Sequence, residues 1–123
     1  MRLLLDTHVL LWWLADDRAL RSEHRAAIAD PGSVVYVSAA SAWEIAIKQA
    51  LGKLTAPEDL RSALAASELE QLPITVAHAQ AVGDLPSHHR DPFDRMLIAQ
   101  SQIEDLVLAT DDSLFARYEV TTL

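Results

Sequence analysis

Cysteine is absent from the 123 residues of this chain, which removes disulfide bridges, thiolate zinc sites and cysteine nucleophiles. Glycine is scarce, with only Gly32, Gly52 and Gly83, so no glycine-rich loop is available to cradle a phosphate. No apolar run is long enough to span a bilayer, and the N-terminus lacks the charged flank and cleavage site of a signal peptide. A soluble, cytoplasmic protein with no membrane partner is expected. Basic residues are in deficit, ten against eighteen acidic, for a net charge of −8. That balance argues against a protein that grips nucleic acid by a broadly basic surface. It leaves a nuclease open, because bound cations change the field at an acidic site and Lys48, Lys53, Arg90 and Arg95 can supply a small positive rim.

What is present is one domain's worth of chain, with half of its residues hydrophobic. Repeats, low-complexity tracts and linkers are not found. Leu3 to Leu5 reads as a short buried strand, followed by an apolar helix from about Thr7 to Ala15. A second helix is expected near Ser22 to Asp30, ended by Pro31-Gly32, and a second strand over Ser33 to Val37. Ser38 offers an N-cap for a helix to about Leu51, and Gly52 its stop. Pro57 to Ala66 reads as another helix, with Pro57 at its first position. Leu72-Pro73-Ile74 is a weak third strand and Val76 to Val82 a short helix. Asp91-Pro92 opens a helix to about Ile103, Leu106 to Ala109 is a clear strand, Ser113 to Tyr118 is a helical turn, and Val120 can begin an edge strand. Strands alternating with helices predict an α/β fold with a mostly parallel central sheet.

The acidic residues fall where such a sheet would bring them together. Asp6 closes the first strand, Asp111 and Asp112 close the last clear one, and Glu44 and Asp94 lie in the first turns of two helices. Ligands of open α/β sheets bind outside the carboxyl ends of the strands. Carboxylates gathered there repel one another and need a divalent cation to be ionised together, which points to a metal-dependent hydrolase. Each residue also has an ordinary role. Asp6 can cap the first helix, Glu44 can pair with Lys48 four residues on, and Asp91, just before Pro92, is the better N-cap of its helix than Asp94. Of Asp111 and Asp112, one can cap the following turn while the other faces the crevice. Capping does not explain why all four main elements carry an acid, nor why Glu44 stands in the apolar turn Ala42-Trp43-Glu44-Ile45-Ala46.

Other residues carry less signal. His8 is expected to pack in the core, His88 and His89 to be solvated in a polar loop, and His24 and His78 have no partner at metal-ligand spacing. Trp12 and Trp13 read as core and partner-facing aromatics. Leu10 to Leu14 leave no polar face on the first helix, so part of it is expected at a protein interface.

These segments resemble the PIN-domain ribonucleases, specifically the VapC-type toxins of bacterial toxin–antitoxin pairs. The resemblance rests on Leu4-Leu5-Asp6-Thr7-His8 with Leu10-Leu11-Trp12-Trp13, on Ser41-Ala42-Trp43-Glu44-Ile45-Ala46-Ile47-Lys48 with Gly52-Lys53-Leu54, on Asp91 to Gln100, and on Ala109-Thr110-Asp111-Asp112, in family order. It implies a single PIN domain over residues 1–123, an α/β/α sandwich, Mg²⁺ or Mn²⁺, an RNA substrate, a homodimer with a second copy of itself, and a cognate antitoxin whose basic segment enters the acidic site. The family's four acids carry over onto Asp6, Glu44, Asp94 and Asp112, and its hydroxyl residue onto Thr110, with Asp91 and Asp111 as accessory neighbours. In the implied reaction Asp6, Asp94 and Asp112 hold the metal that activates water for phosphodiester hydrolysis, Glu44 is ligand or base, Thr110 positions a water, and Lys48 or Arg95 contacts the RNA backbone. Two other readings compete. A phosphoacceptor signalling domain shares the size and the acidic pocket but needs an acidic pair after the first strand, where Asp6 stands alone. A non-catalytic PIN-like binding module would not need all four acids.

Overall fold

The computed structural model describes residues 1–123. The elements run β1 (Arg2–Leu5), α1 (Thr7–Leu14), α2 (Ser22–Ala29), β2 (Val34–Ser38), α3 (Ala39–Ala50), α4 (Leu60–Ala66), β3 (Glu70–Leu72), α5 (Val76–Gly83), α6 (Pro92–Glu104) and β4 (Val107–Ala109), followed by a 3₁₀ turn at Ser113–Arg117. The four strands are all parallel, in the order β3-β2-β1-β4. Because β1 is central and both faces of the sheet are covered, Leu3, Leu4 and Leu5 are all fully buried. Side chains alternate along a strand. Leu3 and Leu5 therefore join the cluster with Val9, Leu10 and Ile45, whereas Leu4 joins the one with Leu97, Ile98 and Phe115. At about 1.5–3 kcal/mol per buried leucine, this strand is a large stabilising element for its four residues.

The parallel sheet aims every strand's carboxyl end the same way. The backbone N–H of Asp6 bonds the carbonyl of Ala109 at 3.0 Å, so the residues after β1 and β4 emerge side by side. Ser38 closes β2 and caps α3 by accepting from the Ala40 N–H at 3.0 Å. Its hydroxyl donates to the buried Gln100 amide at 2.6 Å, which ties α3's start to α6.

Several expected boundaries move. β3 lies at Glu70–Leu72 rather than Leu72–Ile74, because Pro73 has no N–H to extend the ladder and the exposed edge tolerates Glu70 and Gln71. α4 starts at Leu60 rather than Pro57, since Asp59 supplies the cap, accepting from the Ser62 N–H at 3.2 Å. Val120 begins no strand; only Thr122 bridges to Leu108. The apolar helix α1 is better covered than its sequence suggests. Leu10 is fully buried and Leu11, Trp12, Trp13 and Leu14 pack half-buried against the core. Exposed apolar side chains are found instead along α3 and its C-cap, where Trp43, Ile47 and Leu51 share one face at intervals of four. No helix is long and apolar enough to cross a membrane.

Candidate metal centre

Six carboxylates, Asp6, Glu44, Asp91, Asp94, Asp111 and Asp112, line one cleft of about 400 Å³, with His8, Trp12 and Lys48 beside them. Asp6 leaves the end of β1 and caps α1 weakly, accepting from the His8 N–H at 3.4 Å. Its other oxygen accepts a short hydrogen bond, 2.7 Å, from the Thr110 hydroxyl. Thr110 also accepts from the Asp112 N–H at 3.0 Å, so this one hydroxyl sets the spacing between the ends of β1 and β4. Glu44 enters from the second turn of α3. Just before it, the Thr7 hydroxyl donates to that of Ser41 at 2.9 Å and holds α3 against α1.

Glu44 is almost wholly buried, and only one of its oxygens is satisfied. Lys48 donates to Oε2 at 2.6 Å, the ion pair that the four-residue spacing predicts, while Oε1 has no partner. The bond to Glu44 raises the Lys48 pKa and keeps it charged. Asp91 caps α6 as expected, accepting from Phe93 and Asp94 N–H groups at 2.8 and 3.2 Å. That frees Asp94, whose carboxyl is pushed up to about 7 by desolvation, then by the charges of Asp91 and Asp6, with His89 opposing. Burial likewise raises Asp6, against the Thr110 hydrogen bond. A buried carboxylate oxygen without a donor, beside carboxyls that resist ionisation, is the condition a cation relieves. An all-oxygen set suits hard ions such as Mg²⁺ or Mn²⁺.

Asp112 serves two purposes. Oδ1 caps the 3₁₀ turn, accepting from the Leu114 N–H at 2.9 Å, and Oδ2 faces Asp94. Capping therefore belongs to Asp112, and Asp111 instead pairs with Arg21 at 2.7 Å on the cleft rim. Arg95 does not reach the cleft. Its guanidinium bonds the carbonyls of Val82, Leu85, Pro86 and His89 at 2.9 to 3.3 Å, which fastens the loop between α5 and α6 and corrects the expectation of a phosphate contact.

The histidines are largely redistributed. His8 is exposed at the rim of the cleft, its ring 5.9 Å from that of Trp12, because Thr7, Val9 and Leu10 take the inward positions. His24 and His78 are buried structural residues, His78 reaching Glu104 at 2.9 Å. His89, expected in solvent, is folded into the site: its Nε2 lies 3.0 Å from Oδ2 of both Asp94 and Asp112. One ligand atom from each of these three residues falls within 4.8 Å of the others. The polarity of the surrounding loop hid this residue; its place two residues before the α6 cap was the available signal.

The sequence model of the PIN domain matches residues 3–120. No curated protein sequence matches the chain significantly. Among solved structures, VapBC2 from Rickettsia felis bound to a DNA fragment from its promoter is similar at 15% identity and TM-score 0.73, over 100% of this chain and 98% of that one. VapBC-1 from nontypeable Haemophilus influenzae is similar at 17% identity and TM-score 0.69, over 100% and 97%. FitAcB from Neisseria gonorrhoeae is similar at 20% identity and TM-score 0.65, over 98% and 96%.

Proposed function

The chain belongs to the PIN-domain family, and from that premise we propose that it is a VapC-type toxin, a Mg²⁺- or Mn²⁺-dependent endoribonuclease of the cytoplasm held in check by a cognate antitoxin. The observation that carries the reading is the convergence of Asp6, Glu44, Asp94 and Asp112 from four separate elements on one cleft, with the buried Glu44 Oε1 lacking any partner. A non-catalytic module has no use for charges so costly to bury. PIN membership displaces the phosphoacceptor alternative.

Asp6, Asp94 and Asp112 would hold the ion, with Glu44 as a further ligand or as a base. When bound, the divalent ion lowers the pKa of a water and offsets charge on the phosphoryl oxygens. The protein's part is to place the carboxylates. Thr110 orients Asp6 and Asp112, Asp91 caps α6 and leaves Asp94 free, and Lys48 stays protonated beside Glu44 at the cleft, where it could meet a phosphate oxygen. The cleft's own charge repels RNA until cations neutralise it, which supports metal dependence for a protein of net charge −8.

The similarity to solved VapBC and toxin–antitoxin complexes supports an antitoxin partner. The apolar stripe of Trp43, Ile47 and Leu51 is the surface we assign to a protein partner, antitoxin or second copy. The deciding experiment incubates purified protein with total RNA. Cleavage with Mg²⁺ or Mn²⁺ that stops on chelation and in Asp94→Asn is the expected result. Undiminished cleavage in excess EDTA overturns the reading.

A further inference from the structure

His89 is held far more firmly than a loop histidine requires. Its N–H donates to the Tyr118 hydroxyl at 2.7 Å, its carbonyl accepts from Arg95 at 3.3 Å, and its ring meets Phe115 edge-on at 5.6 Å. The ring itself is oriented by Asp91, whose backbone N–H points at Nδ1 from 3.2 Å. An imidazole nitrogen that accepts a hydrogen bond carries no proton, so the proton of the neutral ring must sit on Nε2. That nitrogen is the one 3.0 Å from Oδ2 of Asp112, to which it donates, and 3.0 Å from Oδ2 of Asp94.

We infer that His89 is a positioning residue of the metal centre: its Nε2–H donates to Asp112 and fixes that carboxylate, next to Asp94, in the orientation that receives the cation, and it does not ligate the ion. Direct ligation through Nε2 would move the ring proton to Nδ1, where it would face the Asp91 N–H donor to donor. With Leu114 holding Oδ1 and His89 holding Oδ2, Asp112 is clamped from both sides. Each carboxylate oxygen keeps a second lone pair for an ion. Asp91 thereby acts twice, its side chain capping α6 and its N–H selecting the His89 tautomer.

The inference rests on the metal-centre reading, and the test separates the two. Mn²⁺ is titrated calorimetrically into the metal-free protein, its His89→Ala variant and its His89→Gln variant, the last of which keeps an N–H donor at similar reach. Loss of the positioning bond should weaken Mn²⁺ binding about 10–100-fold in His89→Ala, and His89→Gln should recover most of that loss. Equal affinity in His89→Ala, or no recovery in His89→Gln, overturns the role of His89 while leaving the metal centre standing. Failure of the unsubstituted protein to bind Mn²⁺ overturns the metal centre and this inference with it. Imidazole nitrogen NMR of the unsubstituted protein provides a measure independent of whether the variants fold: the Nε2–H form should persist before and after Mg²⁺ addition, and loss of the Nε2 proton on addition would make His89 a ligand and refute the proposal.

Discussion

Thr110 and Asp6 stand 104 positions apart in sequence, yet the hydroxyl of one donates to the carboxylate of the other at 2.7 Å. The same oxygen accepts from the Asp112 N–H, so a single side chain couples the ends of the two adjacent strands. Thr110→Val keeps the shape and removes both bonds. It should cost about 1–3 kcal/mol, the usual penalty for stranding buried polar partners, while Thr110→Ser should retain most of the stability. Urea denaturation of the metal-free protein measures the difference.

The Asp94 carboxyl, raised from 3.8 to about 7 in the fold, makes the metal-free protein pH-sensitive in a defined direction. Between those values the folded state binds a proton that the unfolded chain does not, so its contribution is full below pH 3.8 and is lost as pH rises toward 7. The slope from this group is at most about 1.4 kcal/mol per pH unit. Asp6, also raised by burial, adds in the same sense. Melting temperatures in EDTA should therefore fall as pH rises through this window, Asp94→Asn should flatten that trend and be more stable near neutrality, and saturating Mg²⁺ should oppose it. An Asp94→Asn protein clearly less stable than the parent at pH 7 without metal would contradict the account.

Neighbouring aspartates should separate by role. Asp91→Ala loses two capping bonds and should cost about 1 kcal/mol. Asp94→Ala should abolish cleavage with the fold intact. Asp111→Ala breaks a half-exposed pair with Arg21, worth about 0–1 kcal/mol, and a longer contact with His24, and should leave cleavage within a few-fold of the parent. Asp112→Ala removes both a cap and a site carboxylate, so activity and melting temperature should fall together. Cleavage rates and melting curves of the four variants check the assignment.

Arg95→Ala should weaken the loop between α5 and α6 rather than RNA contact. Losing a charged donor to four carbonyls should cost about 1.5–3 kcal/mol and expose residues 84–90 to limited proteolysis. If instead the variant folds normally and loses only RNA affinity, Arg95 belongs to the substrate surface after all.

The acids of the candidate cleft were legible in the sequence because Asp6 and Asp112 follow strands, Asp94 opens a helix and Glu44 stands in an otherwise apolar helical turn, and a parallel sheet gathers such positions on one edge. The three consecutive leucines of β1 were legible as buried for a related reason: alternation on a sheet covered on both faces leaves no polar side. The Asp91 cap and the Glu44–Lys48 pair were readable too, since both depend on separations of four residues or fewer. What only the tertiary structure decided depends on distant chain segments. The apolar helix α1 was covered by core residues contributed from elsewhere in the chain. Arg95 was drawn away from the cleft by the carbonyls of a turning loop. His89 looked solvated among polar neighbours, and entered the site because Tyr118, Phe115 and Arg95 hold its loop over the ends of α6 and β4. Local pattern determined which residues were available for chemistry; the closure of the loop against the sheet edge determined which of them meet.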